Sequence, residues 1–143
     1  MRNLSLCALA LAFLAGCGSG TDAPAEQAAP GAAPAPPPPP ATPVDWLTNA
    51  ATYQGQNGTV VTIQCAANPS MTNVGPVWGT DTYSDDSAMC VAAVHAGIIT
   101  PAAGGRVAVT IAPGQDAYTG SERNGVITGD WPVWPGSFTV AAG

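Results

Sequence analysis

The sequence predicts an α+β domain in which short strands wrap a single buried helix, preceded by an export signal and a disordered Pro/Ala-rich tether. Three observations carry that reading. Two segments alternate apolar and polar residues with the period of a strand, one segment is apolar all the way round with capping residues at its ends, and Gly, Asn and Pro fill nearly all the gaps. Composition adds exclusions. Of 143 residues, 8% are charged and 46% hydrophobic, and three basic residues, Arg2, Arg106 and Arg123, stand against nine acids with no lysine. Such a chain cannot neutralise a row of phosphates, so no nucleic acid is expected among its partners. Lysine-dependent nucleotide loops and Schiff-base chemistry fall away for the same reason.

The chain begins with Met1 and Arg2, an apolar run over residues 4–15 and small residues after it, the layout of a secretory signal peptide. The run is too short to span a bilayer. It closes on Leu14, Ala15, Gly16 and Cys17, which resembles the bacterial lipobox, where the cysteine is acylated and the chain is cut just before it. Residues 1–16 are therefore expected to be removed and Cys17 to carry the lipid. The competing reading is an ordinary signal cut near Gly18 or Gly20, with Cys17 an incidental thiol. Cleavage takes Arg2 away and leaves two arginines against nine acids, so anionic headgroups repel the mature chain and acyl chains such as palmitate must anchor it. Gly18, rather than Asp, follows the cysteine, which resembles the default signal for outer-membrane sorting. The expected location is the bacterial cell envelope, lipid-anchored at the outer membrane and facing the periplasm or the cell surface.

Residues 17–43 form the tether. Nine of the fifteen prolines lie in residues 18–43, including the run from Pro36 to Pro40. Oligoproline rises about 3.1 Å per residue, so this segment holds a domain up to roughly 80 Å from the membrane when extended.

Residues 44–143 are the folded domain, large enough for one modest core that a covalent staple would help. Residues 59–65 place Val61, Ile63 and Cys65 on one strand face, and residues 106–111 place Val107, Val109 and Ile111 on another. Shorter strands are expected at 76–78, 125–128 and 137–141. Residues 84–97 read as the one helix: Ser84, Asp85, Asp86 and Ser87 suit its N-terminus and Gly97 its end. Its apolar residues encircle it and its alanines admit close neighbours, as a helix enclosed by its own domain requires. Cys65 and Cys90 remain once Cys7 is cleaved away and Cys17 is acylated, and an oxidising compartment favours a bond between them. Two buried free thiols are the alternative, while a metal site would need more ligands than two sulfurs and one histidine.

The run from Val77 to Gly97, with Tyr83, Ser84, Cys90, Ala92, Ala93 and then His95, Ala96 and Gly97, resembles the core signature of the LCCL domain family. The resemblance continues through Gly104 to Val109, Tyr118 to Ser121, Arg123 to Val126 and Ser137 to Val140, and covers residues 59–141. It implies a central helix enclosed by two β-sheets, in agreement with the buried helix read from composition. It also implies the Cys65 to Cys90 bond. Animal members usually carry a second bridge, with a cysteine a few residues after the position of Cys65, where this chain has Ala66, Ala67, Asn68 and Pro69. For function the resemblance implies a non-enzymatic extracellular binding module, with lipopolysaccharide or other microbial surface components as ligands.

Candidate sites follow from chemistry. His95, the single histidine, serves either as a ligand contact or as a structural residue bonding local groups at the helix end. It cannot activate Ser84 or Ser87, which share its short helix or cap two to three turns away. Asp81, Asp85 and Asp86 lack the glycine and terminal glutamate of an EF-hand, so no metal or cofactor is expected. Trp46, Trp78, Trp131 and Trp134 offer flat faces for sugars and serve equally well as core fillers. Trp131 and Trp134 stand beside Asp130 in a proline-rich stretch read as an exposed loop. Arg123 and Asn124 precede Gly125 as the nearby cation and amide, though Asn124 and Gly125 also suit a turn. With Tyr83 from the signature, the candidate ligand-binding set is His95, Trp131, Trp134, Arg123, Asn124 and Tyr83. The expected function is a tethered envelope lipoprotein presenting a binding module for lipopolysaccharide, another envelope glycan or a protein partner. The alternative is a structural or assembly lipoprotein that docks another envelope protein and holds no small molecule.

Overall fold

The computed structural model describes residues 37–143. The expected signal segment, Cys17 and the expected tether up to residue 36 lie outside the described residues. Eight strands and one helix follow in the order β1 Thr42–Val44, β2 Val60–Cys65, β3 Gly79–Thr80, β4 Thr82–Ser84, α1 Met89–His95, β5 Gly105–Tyr118, β6 Glu122–Arg123, β7 Val126–Ile127 and β8 Trp131–Ala142. Six strands form one sheet in the order β1-β2-β5-β8-β4-β3, and β6 pairs with β7 in a separate hairpin. All pairings are antiparallel except β1 on β2. The fold is thus mixed α+β with one short helix and two sheets.

The alternation in β2 and β5 is realised. Ile63 and Cys65 are buried with Val107, Val109 and Ile111, and register pairs Ile63 with Val107 and Val61 with Val109. Helix α1 packs against β5 and β8 of the large sheet and β7 of the hairpin, and all seven of its residues are buried. Cys90 bonds to Cys65 across a Cα separation of 5.8 Å, joining the helix to the end of β2.

Three expectations need correction. The helix spans Met89–His95 rather than 84–97. Ser84 pairs in β4 with Ser137, and Asp85 and Asp86 do not cap α1, whose N-cap Ala88 is extended and makes no side-chain cap bond. The first amide groups are satisfied instead by neighbouring backbone, Ala88 N–H by Pro76 O and Met89 N–H by Thr48 O, both at 2.9 Å. Tertiary contacts thus do the work that cap residues do for an exposed helix. The C-terminus follows expectation: Gly97 takes φ +76°, its N–H donates to Val94 O and that of Ile98 to Ala93 O, closing a Schellman motif.

The strand expected at 76–78 forms instead at Gly79–Thr80, with Trp78 only bridging to Gly129. The proline-rich stretch 130–135 is strand rather than loop. Strands β5 and β8 continue past the sheet as a two-stranded ribbon, pairing Gln115 with Trp134 and Tyr118 with Trp131. Proline at 113, 132 and 135 is tolerated there because the outer edges of a two-stranded ribbon need no further donors. The expected start of the domain at residue 44 lies at the end of β1, whose Thr42 and Pro43 lie opposite Ile63 and Gln64. Arg106 Nη2 donates to Pro39 O at 2.6 Å, so the end of the proline run is also held on the domain.

Candidate functional site

The candidate residues separate into two groups. The first surrounds His95, which is fully buried. Its Nδ1 lies 2.9 Å from the Tyr83 hydroxyl and its Nε2 3.1 Å from Ser121 Oγ, which in turn lies 2.7 Å from Thr80 Oγ1. Both ring nitrogens are therefore engaged, and Tyr83, also fully buried, stacks edge-on to the imidazole at 5.7 Å. Burial holds the His95 imidazole below its ordinary value, against the opposing pull of Ser121 and Asp81, and pushes the Tyr83 phenol up. Asn124, at φ +51° in the β6–β7 turn, donates its side-chain amide to His95 O at 2.9 Å, satisfying a carbonyl at the end of α1. Arg123 pairs with Asp81 at 2.6 Å on the surface. This group locks the hairpin onto the helix, with both His95 ring nitrogens and the Tyr83 hydroxyl engaged inside it.

The three carboxyl groups weighed for calcium have separate partners. Asp81 faces Arg123, Asp86 accepts from Asn49 Nδ2 at 3.1 Å, and the fully buried Asp85 accepts from Trp134 Nε1 at 2.5 Å and Gln54 Nε2 at 2.8 Å. Among the described residues no three His, Cys, Asp or Glu come together as a metal site.

The second group is aromatic and lies along the ribbon. Trp131 stacks on Trp78 with centroids 4.5 Å apart and meets Trp134 edge-on at 6.1 Å. Trp134 is fixed by its bond to Asp85, which approaches β8 closely because position 136 is glycine; a β-carbon there would overlap the Asp85 carboxyl. Beside Trp131 opens a cleft of about 400 Å³ lined by Ala117, Tyr118, Thr119, Asp130, Trp131 and Pro132. The Nε1 groups of Trp78 and Trp131 are buried without a hydrogen-bond partner among the described residues. Asp130 is exposed; its Oδ1 accepts from Gly120 N–H at 2.7 Å, while its second oxygen accepts nothing among the described residues. The cleft thus brings together Trp131 and the half-free Asp130 carboxyl group, while Tyr118 is buried with its hydroxyl committed, accepting from Gln115 N–H and donating to Gly136 O. A second cleft, near Trp46, Asp45, Ala66 and Asn73, is of similar size, but the Trp46 ring is buried there with its N–H bonded to Ala66 O.

Two of the six candidates, Trp131 and Trp134, therefore meet at a surface, and one of them lines the cleft. Asp130, Tyr118 and Thr119 were not among the candidates. Asp130 adjoins Trp131 in sequence and was legible as its neighbour, whereas Tyr118 and Thr119 arrive only through strand pairing.

Comparison with known families decides the kinship: the model of the LCCL domain matches residues 44–138. The chain belongs to the LCCL domain family. Its LCCL domain is 42% identical over 67 residues to vitrin of Bos taurus, covering 47% of this chain and 10% of that protein. It is 49% identical over 51 residues to the human cysteine-rich secretory protein LCCL domain-containing 2, covering 36% of this chain and 10% of that protein. It is 39% identical over 83 residues to clotting factor C of Tachypleus tridentatus, covering 58% of this chain and 8% of that protein. The LCCL domain thus spans about a tenth of these relatives, which are animal proteins.

Proposed function

We propose that this chain is a lipid-anchored envelope protein whose LCCL domain is a non-enzymatic glycan-binding module, with the Trp131 cleft as its binding face. The observation that carries the reading is that one cleft is lined by both Trp131 and Asp130, whose carboxyl group has one oxygen bonded to Gly120 N–H and the other without a partner among the described residues. A pyranose has apolar C–H faces that pack on an indole and hydroxyl groups that donate to a carboxylate, so one small site meets both demands. The binding role that the family resemblance implies points the same way. Its rigid backing also suits recognition, because Trp78 and the Asp85-anchored Trp134 hold Trp131 in place before any ligand arrives.

The electrostatics narrow the ligand. Arg106 is engaged with Pro39 and Arg123 with Asp81, and neither lines the cleft. Lipopolysaccharide, on this reading, is held through its saccharide rather than through its phosphates. A non-enzymatic role is supported by His95, the one histidine, whose nitrogens are both occupied inside the core.

Thermal unfolding of the full chain with lipopolysaccharide, peptidoglycan fragments and neutral glycans tests the reading. Ligand at a hundred times its dissociation constant adds about 2.7 kcal/mol, a rise of roughly ten degrees or more. The shift should vanish in Trp131→Ala while the variant still unfolds cooperatively. If no saccharide moves the transition, the module is not a glycan binder and crosslinking in intact cells should instead capture a protein partner.

A further inference from the structure

Resting on the glycan reading above, we propose that the Trp131 cleft selects saccharides bearing a free ammonium group, the deacetylated hexosamines, over their N-acetylated counterparts. Three features of the site set that preference. The Trp131 ring lines the cleft, and an indole face attracts cations through its quadrupole. Asp130 stands at the same wall with Oδ1 tied to Gly120 N–H, which orients the group and leaves the other oxygen to receive an N–H donor. Nothing competes for it: the chain has no lysine, and the two described arginines are committed elsewhere, one to Asp81 and one to Pro39.

Charge at longer range acts in the same direction. The chain carries a formal net charge of −6, and Asp116 immediately precedes Ala117 of the cleft wall on β5. A cationic ligand approaches down this field, whereas a sulfated, phosphorylated or uronate sugar approaches against it. An N-acetyl group removes the charge and adds bulk, so the acetylated sugar retains the stacking contact and forfeits the ion pair. Stacking sets recognition of the ring; the carboxyl group sets recognition of the amine.

The matched test is titration of the full chain with a β-1,4-linked glucosamine tetramer and with the N-acetylglucosamine tetramer of the same linkage, at low salt. The glucosamine tetramer should bind roughly tenfold more tightly, as an exposed ion pair and a cation–π contact together allow. That margin should shrink as salt is raised. In Asp130→Asn the margin should shrink severalfold to the part that the indole face alone supplies, the glucosamine tetramer losing more than the acetylated one, while the amide oxygen still accepts from Gly120 N–H and preserves the fold. Equal affinity for the two tetramers overturns the amine preference and leaves the glycan reading standing. A preference undiminished in Asp130→Asn also overturns it. Spermidine, a cation with no sugar ring, supplies the remaining arm: binding as tight as that of the glucosamine tetramer would make charge alone sufficient and overturn selection of an amino sugar. Failure of every saccharide in the thermal panel, by contrast, removes the glycan reading itself.

Discussion

An imidazole enclosed on every side must make its hydrogen bonds inside the protein, and His95 does so through Tyr83 and Ser121. The neutral ring suits this pair, since one nitrogen can accept while the other donates, whereas a protonated ring offers two donors and a charge that burial disfavours. Because the folded-state value lies below the ordinary 6.5, the unfolded chain takes up the proton first as pH falls. The His95 contribution to stability is therefore complete above about pH 7.5 and declines as pH drops through 6.5 toward the folded value, with a slope of at most about 1.4 kcal/mol per pH unit. Urea midpoints between pH 8 and pH 5 should show this decline, and His95→Gln should flatten it. Proton NMR of the native chain gives an independent check: a His95 ring that titrates at or above its ordinary value contradicts the burial argument. The sequence placed His95 near the helix end and offered a structural role beside a ligand role. What it lacked was Ser121, 26 positions away, which reaches the ring only because the β6–β7 hairpin closes over α1.

At the scale of elements, legibility followed the strength of the local pattern. The alternating stretches of β2 and β5 bury Ile63, Cys65, Val107, Val109 and Ile111, as the pattern predicts, whereas the buried Tyr118 at the far end of β5 carries no such signal. Helix α1 is seven residues long, too short to hold itself together, so neighbouring backbone sets its beginning rather than Asp85 or Asp86. At the ribbon end of β8, Pro132 and Pro135 carry the local signal of a loop, and only the long partner strand β5 reveals a free edge where proline does no harm. The aromatic cleft sits on this misread element, which is why Trp131 was legible as a candidate while the wall opposite it was not. A short helix without its own caps also depends on its covalent tie. The Cys65–Cys90 bond closes a separation of 25 residues, and replacing both cysteines with alanine should lower stability by roughly 3–4 kcal/mol on loop-entropy grounds. Chemical denaturation of the double variant measures the loss. A change within a few tenths of a kcal/mol would mean that packing around α1, rather than the bond, holds the helix against β2.

Over the whole molecule, charge and attachment have to be reconciled. A chain with three basic residues against nine acids gains nothing from an anionic bilayer, and among the described residues no helix is long and apolar enough to cross one. The proposed hold at a membrane is the acylated Cys17, with the proline-rich segment between it and β1 as the spacer. Two acyl-type signals suffice for stable anchoring, whereas a single chain gives only reversible binding, so the lipid pattern of a processed lipobox cysteine is sufficient without help from the protein surface. Expression of the full chain in a bacterial host that processes lipoproteins separates the possibilities. The native chain should incorporate labelled palmitate and sediment with the envelope, and high salt should not release it, because no ion pairs hold it there. Cys17→Ser should carry no label and appear in the soluble exported fraction, with the Cys65–Cys90 bond still formed. Continued sedimentation of Cys17→Ser would place the attachment in the domain itself, and release of the native chain by salt would make it electrostatic; either result removes the lipid anchor from the proposed function while leaving the glycan cleft to be judged on its own binding.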